Sequence, residues 1–151
     1  MNLINLLKHK VNEASKYSKD KSNEHGEVFT PEQLIKEMLY SLPKDTWSNP
    51  NLTFLDPCAG KGNFTVIIIH GLMNGLKDIF PDKLERYKHI IEKQIYICEY
   101  QRESAETINQ IFNIGDRFKL NLYIGDSLKM PEDFFDLGFD DRKHKYPEHC
   151  L

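Results

Sequence analysis

The chain has 151 residues, of which 40% are hydrophobic and 28% charged, with a formal net charge of −3, a mean hydropathy of −0.56 and a pI near 6.1. This is the length of one ordinary domain with a single core, and the composition excludes a long disordered or fibrous polymer. The mild acidity supplies no general attraction to nucleic acid, so such a contact needs a local basic patch or another part of the protein.

No apolar run approaches the roughly 18 residues of a membrane span. The start "MNLINLLKHK" lacks the long apolar centre and small-residue cleavage site of a signal peptide, so a cytoplasmic location without membrane partners is expected. Cys58, Cys98 and Cys150 are an odd, widely spaced set with no CxxC, so reduced thiols are expected, with Cys58 and Cys98 as small buried hydrophobes. His144, His149 and Cys150 match no zinc spacing.

Residues 2–17 place Leu3, Leu6, Leu7, Val11 and Ala14 at spacings of three and four, which predicts an amphipathic helix. "SKDKSNEHGE" then reads as a linker, with Lys16, Lys19 and Lys21 at the junction as a solvated face or a phosphate contact. "FTPEQLIKEMLYSL" predicts a second helix with Thr30 as N-cap, Pro31 at the first helical position and Leu34, Met38 and Leu39 on one face. "LTFLD" (52–56) has strand composition, is followed by a glycine turn, and gives way to the apolar helix "FTVIIIHGLMNGL". Helical spacing in "KLERYKHIIEKQ" leads to a strand at 95–99. A helix at "SAETINQIFNI" leads to another at 121–124. Strands alternating with helices predict a parallel sheet with right-handed crossovers, in which 52–56 neighbours 95–99 and 95–99 neighbours 121–124. The tail after residue 133 shows no pattern of a fourth strand.

Ligands of such sheets sit at the carboxyl ends of the strands, and all three ends carry an acid: Asp56, Glu99 and Asp126. Gly60 and Gly62 allow a close backbone approach. "GKGNF" supplies neither a Walker A loop nor GxGxxG, because the third position after Gly62 is Thr65; this weakens phosphate-cradle and nicotinamide-oxidoreductase readings. Acids suit hydroxyls and amines instead. Glu99 has the acceptors for two ribose hydroxyls and Asp126 for an exocyclic adenine amine, and S-adenosylmethionine carries both partners without needing a phosphate site.

"GEVFTP" (26–31), "FLDPCAGKGNF" (54–64), "ICEYQ" (97–101) and "IGDSL" (124–128) together resemble the N-terminal half of adenine-N6 DNA methyltransferases of restriction-modification type, over roughly residues 24–130. Alone, "GEVFTP" is read as a plain loop and helix cap. The resemblance implies a partial Rossmann-like, S-adenosylmethionine-dependent α/β fold: three parallel strands with flanking helices and an N-terminal helical segment. It divides the chain into residues 1–23, an amphipathic helix and linker, and residues 24–151, the N-terminal portion of a cofactor-binding methyltransferase domain. By the same resemblance Thr30 and Pro31 border the methionine end of the cofactor, and Asp56, Gly60 and Gly62 form the turn beneath it. Glu99 holds the ribose and Asp126 with Ser127 the adenine, while Pro57, Ala59, Asn63 and Tyr100 complete the cofactor-binding set. Phe64 packs beneath the turn or touches the cofactor.

In that family an Asn/Asp/Ser-Pro-Pro-Tyr/Phe segment at the end of a fourth strand holds the flipped base. The chain contains no such segment: Asn49-Pro50 is followed by Asn51 and precedes the first strand. The expectation is a cofactor-binding fragment, ending before the catalytic motif and inactive alone, with DNA contacts made through regions outside it. Its origin stays open among a shortened gene product, a recombinant boundary, part of a split enzyme and a decayed copy. A non-catalytic S-adenosylmethionine-binding or interaction module that completes a partner protein is the alternative. The strand at 52–56, central in the complete fold of that family, would expose an apolar edge and the helix face of "TVIIIHGLM"; the N-terminal helix with Leu3, Leu6, Leu7 and Val11 can cover part of that surface but not supply the missing strand's hydrogen bonds, which favours a second polypeptide or self-association.

Overall fold

The computed structural model describes residues 2–21 and 30–151, the side chains of 17–21 excepted. Three parallel strands form one sheet in the order β1 (Phe54–Asp56), β2 (Ile95–Glu99), β3 (Asn121–Ile124). Phe54 is in register with Ile95, and Tyr96 with Asn121. The predicted order and direction are therefore observed; β1 is shorter than its apolar run, because Leu52 and Thr53 lie outside the ladder.

Alternation sorts the strand side chains onto two faces. Phe54, Ile95, Ile97, Leu122 and Ile124 join the main core, and the opposite face places Cys98 and Tyr123 with Phe134 in a smaller cluster. Leu55 of β1 belongs to neither cluster and is 54% exposed. β1 is also one of the sheet's two outer strands, paired only with β2, so its far backbone edge is unpaired among the described residues.

Helix α3 (Asn63–Gly75) is buried from Thr65 through Ile69 and again at Leu72 and Met73. Its apolar surface is covered more fully than the partial cover expected of the N-terminal helix for the "TVIIIHGLM" face. α1 (Leu3–Lys21) and α2 (Glu32–Tyr40) pack on it, and Trp47 stacks on Phe54 with ring centroids 5.8 Å apart. Complete burial of one such aliphatic side chain contributes about 1.5–3 kcal/mol.

Several local expectations are corrected. Residues 18–21 continue α1 instead of starting the linker, and its core stripe is Ile4, Leu7 and Val11 with Leu3 and Ala14 alongside, leaving Leu6 outside it. Residues 22–29, including Gly26 to Phe29 of "GEVFTP", lie outside the described residues, as do the side chains of Lys19 and Lys21. Lys16 is exposed and pairs with Glu13 at 3.0 Å. Thr30 does not cap α2: Pro31 occupies the N-cap position and no side chain caps the helix. The buried residue of α2 is Ile35, whereas Leu34 and Met38 are 47% and 53% exposed. With only nine residues and one line of contact to α3, the helix rotates to bury Ile35, packs Leu39 partly against the core and leaves Leu34 and Met38 in solvent.

α4 (Lys83–His89) starts with Asp82 accepting from the Leu84 and Glu85 N–H groups and runs into a π-helical turn, Ile90–Gln94. Gln94 Nε2 donates to the carbonyls of Asn49 and Leu52 at 3.0 and 2.9 Å, fixing the approach to β1. α5 (Arg102–Phe112) connects β2 to β3, and α6 (Phe139–Lys145) lies in the tail. The tail is pinned beside β3: His149 Nδ1–H donates to the Ile124 carbonyl at 2.7 Å, and Arg102 donates to the carbonyls of Glu148 and Cys150 at 2.7 and 3.3 Å. No helix among the described residues is long and apolar enough to cross a membrane.

Candidate functional site

The chain turns between β1 and α3 through Pro57–Gly62, and the end of β2 holds that turn. Ala59 N–H donates to the Cys98 carbonyl at 3.1 Å, and Gly60 N–H donates to Glu99 Oε2 at 2.8 Å. Gly60 and Gly62 have φ of +58° and +88°, a region that costs an L residue roughly 1–2 kcal/mol. A Cβ on Gly62 would stand 2.6 Å from the Phe112 ring, so packing as well as backbone geometry requires glycine there. A Cβ on Gly60 would meet nothing within 4 Å, because that position faces open space.

The three strand-end acids play different parts. Asp56 Oδ2 accepts the Thr65 hydroxyl hydrogen at 3.0 Å, with the Cys58 and Thr65 backbone N–H groups also bonded to the carboxylate. Burial pushes its pKa above the ordinary 3.8, and these bonds oppose the shift without reversing it. Its bonds are directed into the turn. Glu99 is 6% exposed; besides Gly60 N–H it accepts Gln101 N–H on Oε1 at 2.8 Å. Asp126 Oδ1 accepts Leu128 N–H at 3.0 Å, capping the short 3-10 turn Ser127–Lys129, and Lys129 Nζ lies 3.7 Å from its other oxygen. Lys61, buried, donates from Nζ to the buried Ser104 hydroxyl at 2.8 Å and so ties the turn to the first part of α5.

Between these elements lies a cleft of ≈ 330 Å³, at the lower end of the roughly 300–1,000 Å³ of small-molecule sites. Of the residues singled out in the sequence, Thr30, Pro57, Ala59, Gly60, Asn63, Glu99, Tyr100, Asp126 and Ser127 line it. Pro31, Asp56 and Gly62 do not: Asp56 and Gly62 are spent on the turn itself, and Pro31 starts α2. The lining also includes Cys58, Phe64, Gln101 and Gly125. Cys58 is exposed, a correction of the buried role expected for it, because the tight turn places it outside the core; Cys98 is fully buried, its thiol pushed up to about 12 by burial. Gln101 and Gly125 were missed because they stand two positions and one position past a strand end without a distinctive side-chain pattern. Tyr100, 75% exposed, presents an aromatic ring beside Glu99. The arrangement combines two carboxylates, an exposed ring and a glycine backbone, a set suited to a nucleoside bearing hydroxyls and an amine. Among the described residues no group of His, Cys, Asp and Glu could hold a metal ion.

Comparison with known proteins adds to this geometry. The family model described as N-6 DNA Methylase matches residues 14–141. A protein of Mycoplasma pneumoniae named "uncharacterized adenine-specific methylase" is 43% identical over 75 residues, covering 48% of this chain and 18% of that protein. The Type II methyltransferase M.VspI of Vibrio sp. (strain 343) is 27% identical over 108 residues, covering 67% of this chain and 25% of the relative. The chain thus spans no more than about a quarter of the length of the curated relatives it matches.

Proposed function

The chain belongs to the N-6 DNA methylase family, its three-stranded α/β sheet being a partial Rossmann-like methyltransferase fold, and from that premise we propose that its cleft binds S-adenosylmethionine as the cofactor-holding part of an adenine-specific DNA methyltransferase. One observation carries this reading. The Gly60–Glu99 bond brings the glycine turn and the buried acid of β2 into one cleft, whose wall also contains Asp126 and Ser127.

In this assignment Glu99 accepts hydrogens from the ribose hydroxyls, Asp126 and Ser127 face the adenine, Tyr100 packs on its ring and Thr30 borders the methionine end. Gly60 lets the backbone come close, while Lys61 and Ser104 keep the turn against α5. When bound, the cofactor supplies an electrophilic methyl group. In this reading the residues that present the target adenine belong to other parts of the methyltransferase, and the chain alone is expected to transfer no methyl group. The same reading assigns its DNA contacts to those other parts, its setting to restriction-modification and its location to the cytoplasm.

A second reading rests on the unpaired edge of β1: the chain completes another polypeptide, or a second copy of itself, as a non-catalytic cofactor-binding module. A coding sequence that continues in frame, or after a frameshift, into Asn/Asp-Pro-Pro-Tyr/Phe favours the enzyme reading.

Calorimetry with S-adenosylhomocysteine and with NAD tests the cofactor. Heat is expected with the first only; heat with NAD alone would overturn the assignment. Methyl transfer from labelled S-adenosylmethionine to an adenine-containing duplex, catalysed by this chain alone, would refute the placement of the chemistry elsewhere.

A further inference from the structure

A second cleft, of ≈ 490 Å³, shares no lining residue with the first. It lies where the last turn of α5 and the start of β3 meet α6. Phe118, Leu120, Leu122 and Phe139 give it apolar walls. Arg117, Lys119, Arg142 and Lys143 bring four cations to it, against Asp116 as the one acidic side chain of the lining and the α-carboxylate of Leu151, the last of the 151 residues.

Arg142 is the informative residue. Its side chain is buried, 5% exposed, and Nη2 donates to Asn121 Oδ1 at 2.8 Å. The Asn121 amide is occupied on its other side by the carbonyls of Glu92 and Ile95, both at 3.1 Å, so the partner of Arg142 is neutral and fixed in place. None of the ion pairs among the described residues includes Arg142. Its guanidinium lies 5.6 and 5.9 Å from the ring centroids of Phe134 and Phe135. Aromatic faces stabilise a cation without supplying a counter-ion. A buried charge in this position is costly unless an anion reaches it, and a guanidinium stays charged with five donors to offer.

The other cations surround the same space with side chains that can respond. Lys143 Nζ lies 5.2 Å and Lys119 Nζ 5.7 Å from the centroid of the Phe139 ring. Lys119 pairs with Asp140 at 3.3 Å, but both side chains are mostly exposed, at 59% and 83%, so that pair is weak and exchangeable. Cations around an apolar floor with a phenyl ring suit a ligand that joins an anionic group to a flat body. The geometry points to a binding site for a phosphate monoester of a nucleoside, the chemistry shared by a free mononucleotide and the 5′-phosphorylated end of a DNA strand.

The test is calorimetry at low salt with thymidine 5′-monophosphate, thymidine and 5′-phosphorylated oligothymidylate. Thymine lacks the exocyclic amine for which the Glu99–Asp126 cleft is suited. Thymidine 5′-monophosphate should bind at least on the order of tenfold more tightly than thymidine, and the exposed double variant Lys119→Gln/Lys143→Gln should lose on the order of tenfold. Arg142→Met should abolish binding; because it also disturbs Asn121, the exposed double variant keeps the test decisive if Arg142→Met does not fold. Equal affinity for the monophosphate and the oligonucleotide identifies a mononucleotide site, and tighter binding of the oligonucleotide identifies a strand end. Absence of heat with both phosphorylated ligands, equal binding of thymidine, or unchanged affinity in the double variant would overturn the proposal.

Discussion

Replacing Glu99 separates its two roles, because the carboxylate holds the turn and faces the cleft. In Glu99→Gln one backbone N–H keeps an oxygen acceptor, now neutral, while the other meets an amide NH₂. A hydrogen bond to a charged group contributes about 1.5–3 kcal/mol and an unsatisfied buried donor costs about 1–3 kcal/mol, so the variant should lose about 2–4 kcal/mol of stability. At about 2–4 °C per kcal/mol for a chain of this length, the melting temperature should fall by roughly 4–16 °C. Glu99→Ala removes both acceptors and should fall further. Cofactor affinity is a separate quantity: loss of the charged ribose acceptor should weaken S-adenosylhomocysteine by about ten- to a hundredfold in either variant. Thermal melting followed by circular dichroism and calorimetry at a temperature where each variant is folded measure the two effects. Unchanged cofactor affinity in a folded Glu99→Ala chain would refute the site assignment, and an unchanged melting temperature would refute the account of the turn.

Gly62→Ala combines left-handed strain with a collision against Phe112 and should cost about 2–4 kcal/mol, read as a lower urea midpoint. For Asp56 the folded pKa lies above the unfolded one, so the folded state takes up the proton first and the group's contribution to stability improves as pH falls toward 3.8. The stability of the wild-type chain relative to Asp56→Asn should therefore rise between pH 7 and pH 4 in urea titrations; a fall would contradict the direction of the shift. At tens of micromolar, light scattering should report a mass above the 17.7 kDa monomer, and Leu55→Lys at the exposed edge should shift it toward the monomer. A monomeric wild-type chain would remove the argument from the unpaired strand.

The sheet was legible because Phe54–Asp56, Ile95–Glu99 and Asn121–Ile124 are short apolar runs, each closed by or followed by an acid, and separated by helix-length segments. The acids marked the cleft because the carboxyl ends of parallel strands converge. Which acid faces outward was not legible: Asp56 is turned inward by Thr65, nine positions later, and local spacing does not reveal that bond. The exposed face of α2 was misread because Leu34, Ile35, Met38 and Leu39 are all apolar, and only contact with α3 selects Ile35. The π-helical turn was hidden because its residues continue the apolar spacing of α4, while its wider winding answers to Asn121 and Gln94 bonding across the fold. The cationic cleft left no motif, as its walls come from segments between Asn109 and Leu151 that share no pattern.

The parallel register has a consequence for the nascent chain. Phe54 waits for Ile95, 41 positions later, and Tyr96 waits for Asn121, 25 positions later, so no strand can pair with its immediate surroundings. At about 5–20 residues per second, the ribosome takes roughly 2–8 seconds to deliver β2 after β1 has been made. During that interval Leu52, Phe54 and Leu55 emerge with no strand to receive them; the Trp47 ring, already made, can stack on Phe54, and the helix α3 is the next element to follow. Folding of this chain is thus paced by synthesis at one point, and a slow-translated stretch between residues 64 and 94 would lengthen the exposure of the segment most able to recruit another chain.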